Sequence, residues 1–156
     1  EVILAAIQSA KEAKKIKPDA YIALDIGPIG KLMEPMGTLT FDEVYQSVKQ
    51  MVELVKEDID VVLFETMTDI YELKASILAV KECSDLPIFA TMTFETNGRS
   101  LSGCDPLTMV NVLEGLKVDA LGINCSLGPN EMAPIIENIL EIYIRKQLIN
   151  IQIHIK

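Results

Sequence analysis

Two hydrophobic rhythms alternate along the chain, one with helical spacing and one of short unbroken apolar runs. Ile3, Ile7, Ala10 and Ala13 recur at helical spacing within residues 2–15, with lysines gathered at the end where a helix dipole favours positive charge. An apolar run at 20–26 follows, carrying Asp25 near its end and closed by Gly27 and Pro28. Thr40 and Glu43 have the spacing of a capping box, opening a helix through Val44, Val48, Met51, Val52 and Val55. The unit then recurs: a run at 60–66 ending in Glu65 and Thr66, and a helix over 69–83 with Leu73, Ile77 and Val80 on one face. A run at 86–94 and a helix over 106–116 come next. The last run, 118–123, has the length of a fully buried strand; Asn124 and Cys125 close it, and Gly128 and Pro129 precede a helix over 130–143.

Strands alternating with helices of this length imply right-handed crossovers and a parallel sheet. Each run ends in polar residues: Asp25, Glu65, the segment 93–95, and Asn124 with Cys125. All four exits fall on the C-terminal edge of the sheet, where ligands bind in open α/β sheets and in barrels alike. The pattern alone favours a (β/α)8 barrel only slightly over a doubly wound sheet. Residues 143–156 break the rhythm, because Ile149, Ile151, Ile153 and Ile155 alternate with Asn150, Gln152, His154 and Lys156. That period predicts a half-exposed edge strand with His154 on its polar face. The expected organisation is a β/α unit over 1–142 and a divergent tail over 143–156.

Composition narrows the function classes. A chain of 156 residues, 49% hydrophobic and 24% charged, suits one domain with a real core. Its net charge of −9 repels a phosphate backbone, and no stripe of Lys and Arg offsets this, so nucleic acid is not an expected partner. No run approaches the roughly 18–20 apolar residues of a membrane span, and no signal-peptide pattern is visible, so a cytoplasmic protein is expected. Three cysteines at wide spacing, with no Cys-x-x-Cys pair, argue for reduced thiols rather than a disulfide framework. The opening at Glu1, already in helical pattern, suggests a piece of something longer.

Cys125 is the leading candidate for chemistry, standing at a strand exit, although a cysteine there also suits a small buried hydrophobe. Glu65 could orient a cationic substrate group or pair with a nearby lysine or backbone donor. Asn124 suits a substrate contact, support of a neighbouring ligand, or a structural hydrogen bond. Asp25 suits ordering of the Gly-Pro loop more than substrate contact. Cys104 follows the third run, on the same rim as Cys125, whereas Cys83 ends a helix and belongs near the opposite rim. The segment 27–31 lacks the full Walker spacing and reads as turn chemistry. No strand ends in lysine, which leaves a Schiff-base aldolase without a nucleophile.

Four motifs occur in order: Asp-Ile-Gly-Pro-Ile-Gly-Lys-Leu-Met-Glu-Pro-Met-Gly at 25–37, Phe-Glu-Thr-Met-Thr-Asp at 64–69, Thr-Phe-Glu-Thr-Asn-Gly-Arg-Ser-Leu-Ser-Gly at 93–103, and Gly-Ile-Asn-Cys-Ser-Leu-Gly-Pro at 122–129. In these residues the chain resembles the homocysteine S-methyltransferase family, specifically the homocysteine-binding domain of cobalamin-dependent methionine synthases, over roughly 1–142. The resemblance implies a (β/α)8 barrel, present here as a partial barrel of about four to five strand–helix units. These would be strands three to six, with a replaced seventh. It also implies a zinc ion held by three thiolates, of which Cys125 matches the first and the adjacent pair has no counterpart here. By the same resemblance Glu65 would receive the substrate ammonium, with Asn124 and Asp25 as further candidate substrate contacts. The implied reaction is methyl transfer to L-homocysteine giving methionine; the donor stays open among folate, betaine and S-methylmethionine, with methyltetrahydrofolate by way of cobalamin on other domains as one candidate. A partial barrel would also bare open sheet edges, so self-association as a non-catalytic homo-oligomer is the alternative expectation.

Overall fold

The computed structural model describes the backbone of residues 1–154 and the side chains of residues 1–143. Its elements run α1 (Val2–Lys14), β1 (Ala23–Ile26), α2 (Phe41–Val55), β2 (Val61–Met67), α3 (Ile70–Cys83), β3 (Ile88–Met92), α4 (Pro106–Gly115), β4 (Ala120–Ile123) and α5 (Pro129–His154). The starts of α2, α3 and α4 are set by side chains that satisfy free N–H groups. Thr40 and Glu43 form the expected capping box on α2. Asp69 accepts from the Tyr71 N–H at 2.7 Å and Asp105 from the Thr108 N–H at 2.8 Å, with Pro106 in the first turn of α4. The Thr108 N–H, backed by Arg99, holds the Asp105 carboxyl below its ordinary range.

The four strands pair in parallel in the order β1-β2-β3-β4, with Ala23 opposite Val61, Val62 opposite Ile88 and Phe89 opposite Ala120. A doubly wound sheet must reverse its order at a switch point. Strictly sequential order with right-handed crossovers instead puts every helix on one face, as a barrel wall requires. Burial follows that geometry. Leu24, Ile26, Val62, Phe64, Ile88, Ala90 and Met92 are buried under the helices, with Val44, Val48, Leu73, Ile77, Met109 and Leu113 packed from the other side. The opposite face carries Ala23, Asp25 and Phe89, all exposed, and corresponds to a barrel interior.

Two expectations are corrected. Strand β4 is not fully buried: Ala120 is exposed and Leu121, Gly122 and Ile123 are intermediate, because no described residue covers the interior face or its outer edge. Nor do residues 143–154 form an edge strand, since α5 continues through them to His154. Nothing in 135–154 stops a helix, neither glycine nor proline, and extending an existing helix fixes one residue per added hydrogen bond, whereas a strand needs a partner edge. Ile155 and Lys156 lie outside the described residues, as does the side chain of His154.

The loop between β1 and α2 is held from an unexpected direction. Glu72, in the first turn of α3 and only 3% exposed, accepts the Ile29 N–H at 2.7 Å. Farther along, Gly37 lies so close to Leu32 that a Cβ would sit 2.1 Å from the Leu32 carbonyl oxygen, so no other residue fits without moving the loop. Burial pushes the Glu72 carboxyl above its ordinary value, against the opposing Ile29 hydrogen bond and with help from nearby Asp69. A carboxyl that prefers its proton in the folded state makes that state bind more protons than the unfolded chain. Stability is therefore expected to fall as pH rises from about 4.5 through the raised value and to stay level above it. Glu72→Gln, which keeps an acceptor for Ile29, should remove that slope in urea denaturation series across pH 4 to 8; an unchanged slope would exclude this carboxyl as its source.

Candidate functional site

At the C-terminal ends of β2, β3 and β4 a hydrogen-bonded group joins three strands. Asn124 continues the β4 ladder, its N–H donating to the Met92 carbonyl at 3.2 Å. Its side-chain Oδ1 accepts from the Thr66 N–H at 3.0 Å and the Thr91 hydroxyl at 2.8 Å. A backbone N–H can only donate, so this end of the carboxamide must be the oxygen. The Nδ2 end then donates to Thr66 Oγ1 at 2.8 Å and lies 3.3 Å from Cys125 Sγ. Thr66 Oγ1 in turn donates toward the same sulfur at 3.6 Å.

The backbone around this group is unusual. Thr66 has φ of 61° and sits where the register between β2 and β3 shifts, between Phe64 and Met67. Positive φ in a β-branched residue is a steric outlier. Cys125 and Ser126, with φ of 60° and 63°, are left-handed as well, and the Leu127 N–H closes a tight turn onto the Cys125 carbonyl at 2.8 Å. Strain of this kind persists where surrounding structure over-determines it, and such positions cluster at functional sites.

The expected site residues are all on or beside this rim. Cys125 is exposed, which removes its reading as a small buried hydrophobe. Glu65 precedes Thr66 and is half-buried; Asp25 is exposed on the interior face, opposite Leu63, which lies two residues before Glu65. Among the described residues neither carboxylate has a side-chain hydrogen bond or ion pair; Asp25 does not order the Gly-Pro loop, a task Glu72 performs. Thr66 and Thr91 belong to the group and sequence reasoning passed over both. The pairing of Thr91 with Gly122 could have been anticipated from strand register, but the inward turn of Thr66 could not.

The other two cysteines differ in kind. Cys104 is buried, its thiol pushed up to about 11 by desolvation and by Asp105 and Asp69. Cys83, half-buried at the end of α3, is raised by desolvation and Glu53. No group of three Cys, His, Asp or Glu able to hold a metal exists among the described residues. A site of three thiolates therefore does not fit these residues alone: they offer one exposed sulfur. No helix among the described residues is long and apolar enough to cross a membrane.

Two measurements follow from this geometry. A soluble alkylating reagent at pH 8 should modify Cys125 first, since Cys104 at about 11 carries on the order of a hundredfold less thiolate than an ordinary thiol; peptide mapping that found Cys104 labelled first would contradict the assignment. Thr93 Oγ1 is buried without a hydrogen-bond partner among the described residues. Thr93→Val should leave stability unchanged or raise it by about 1 kcal/mol in denaturant melts, whereas a clear loss would mean that the hydroxyl has a partner.

Known proteins supply the family. The chain shares 37% identity over 79 residues with the methionine synthase of Mycobacterium tuberculosis and with that of Mycobacterium leprae, in each case 47% of this chain and 7% of the relative's length. Its fold is similar to the crystal structure of the homocysteine methyltransferase MmuM from Escherichia coli, with a TM-score of 0.62 and 21% identity over 77% of this chain and 46% of that one. The chain thus spans well under two thirds of each of these proteins. The homocysteine S-methyltransferase family model matches residues 1–155, running beyond 142, where the resemblance read from the motifs ends. With nearly its whole length matched by that model, the chain belongs to the homocysteine S-methyltransferase family.

Proposed function

We propose that the protein transfers a methyl group to the thiol of L-homocysteine, giving methionine, and that these residues form the amino-acid-binding half of the site. The observation that carries the reading is the juxtaposition on one rim of an exposed thiol, Cys125, and a carboxylate with no side-chain partner among the described residues, Glu65, joined through the Thr66–Asn124 hydrogen bonds. Glu65 would receive the substrate ammonium in a charge-assisted contact, and Asp25 adds negative charge on the same face. Asn124 would keep the Cys125 sulfur in place. Zinc is the cofactor of this reading: bound to thiolates, it would keep a substrate thiol deprotonated near neutral pH. Cys125 would be one of its ligands, and two further thiolates must come from outside the described residues. The methyl donor would be methyltetrahydrofolate by way of cobalamin carried on other domains, in a cytoplasmic protein.

A second reading takes the chain as a non-catalytic partial barrel that self-associates. It draws on the interior face and the edges of β1 and β4, which no described residue covers, and on the single exposed thiol. Calorimetry separates the two. Zinc followed by L-homocysteine, titrated into the chain, should give homocysteine binding that requires zinc and disappears in Cys125→Ser only where the two further thiolates are supplied, as by another copy of the chain. Glu65→Gln should weaken binding roughly 10- to 100-fold, the worth of a hydrogen bond to a charged group. No homocysteine binding by the unaltered chain, together with a sedimentation mass above that of one chain, would favour the second reading.

A further inference from the structure

We infer that Thr66 is a positioning residue for the Cys125 sulfur, an assignment that rests on the reading of Cys125 as the functional thiol. The argument begins with the backbone. In a regular parallel ladder the Thr66 N–H would point along the sheet toward β3. The register shift between Phe64 and Met67 and the φ of 61° take it off the β3 backbone, so that it meets Asn124 Oδ1 at 3.0 Å and, at 3.4 Å, the Thr91 hydroxyl oxygen. Glycine would adopt this conformation without steric cost. A β-branched residue held there needs a compensating role, and the hydroxyl supplies one.

Thr66 Oγ1 accepts from Asn124 Nδ2 at 2.8 Å and donates toward Cys125 Sγ at 3.6 Å, so one hydroxyl engages both neighbours. The carboxamide, fixed at its oxygen end by the Thr66 N–H and the Thr91 hydroxyl, has a single orientation, and its Nδ2 is thereby aimed at the sulfur. Two donors from different strands thus converge on Sγ, which fixes the sulfur's direction rather than only its position. Cys125 and Ser126 reach the same point on a left-handed turn from the other side. Glu65 is the residue before Thr66, so the backbone step that delivers the hydroxyl also sets the place of the carboxylate on the rim. Thr66 touches no reacting atom; it acts through Asn124 and Cys125.

The test is nuclear magnetic resonance of the 15N-labelled chain with Thr66→Ser, Thr66→Val and Thr66→Gly. In the unaltered chain and in Thr66→Ser the two Asn124 Nδ2 protons should give separate signals that exchange slowly with solvent. In Thr66→Val and Thr66→Gly exchange should be roughly five- to tenfold faster, the loss of one hydrogen bond. Thr66→Gly should also melt at a higher temperature than Thr66→Val, because it relieves the left-handed strain. Unchanged Asn124 signals in Thr66→Val, or failure of serine to preserve them, would overturn the assignment. If the valine chain does not fold, the serine and glycine variants decide the matter by the same signals. Zinc and homocysteine titrations of the same variants keep the two readings apart: an unaltered chain that binds no homocysteine yet shows protected Asn124 protons counts against binding by this chain and leaves the placement of the Cys125 sulfur by Thr66 intact.

Discussion

Burial on one side of a parallel sheet governs this molecule. Val62, Phe64, Ile88, Ala90 and Met92 lie within about 1% of full burial beneath the helices, while Phe89 on the reverse is 42% exposed. Most of the apolar free energy gained by the sheet therefore comes from the helix-facing side, at roughly 25 cal/mol per Å² removed from water. That side fixes the register of every strand, because a slip of one residue would send the buried row to the open face. Once register is fixed, the C-terminal ends of β2, β3 and β4 must fall together, and the polar residues at those ends become neighbours without any further instruction.

What the scaffold brings together, a local distortion then refines. A β-branched residue and a cysteine held at positive φ cost about 1–3 kcal/mol each. Four hydrogen bonds around the Asn124 carboxamide offset this, with every donor and acceptor of that side chain satisfied. The distortion is located where two strands that do not touch, β2 and β4, must exchange contacts across the end of β3. Its rigidity is the kind a binding site needs, since a displaced sulfur or carboxylate would lose orientation long before it lost stability.

Much of this was legible from residue order. The capping box at Thr40 and Glu43 is a local signal that tertiary context did not override, and the short apolar runs marked all four strands. Asn124 and Cys125 stood out because polar residues ending a buried run have few other reasons to be there. Thr66 did not stand out: its role depends on a bulge, and nothing local in Phe-Glu-Thr-Met announces an extra residue in the ladder. Glu72 was hidden for a related reason, since a glutamate in the first turn of a helix is common and its burial depends on a loop more than forty residues earlier in the chain. The alternating isoleucines beyond Tyr143 misled in the opposite sense. Period two is evidence for a strand only where a partner edge exists, and a helix already in progress prevailed.

The sequential strand order also bears on how the chain acquires its structure. Each strand pairs with the one immediately before it in the chain, and no ladder waits for a distant segment to arrive. Loop closure is correspondingly cheap for a parallel sheet, a class that otherwise folds slowly. A growing chain could lay down β1, β2, β3 and β4 in turn, each new unit docking on a finished edge. The joined strand ends at Thr66 and Asn124 would form only once β4 is in place, after β1, β2 and β3 have paired.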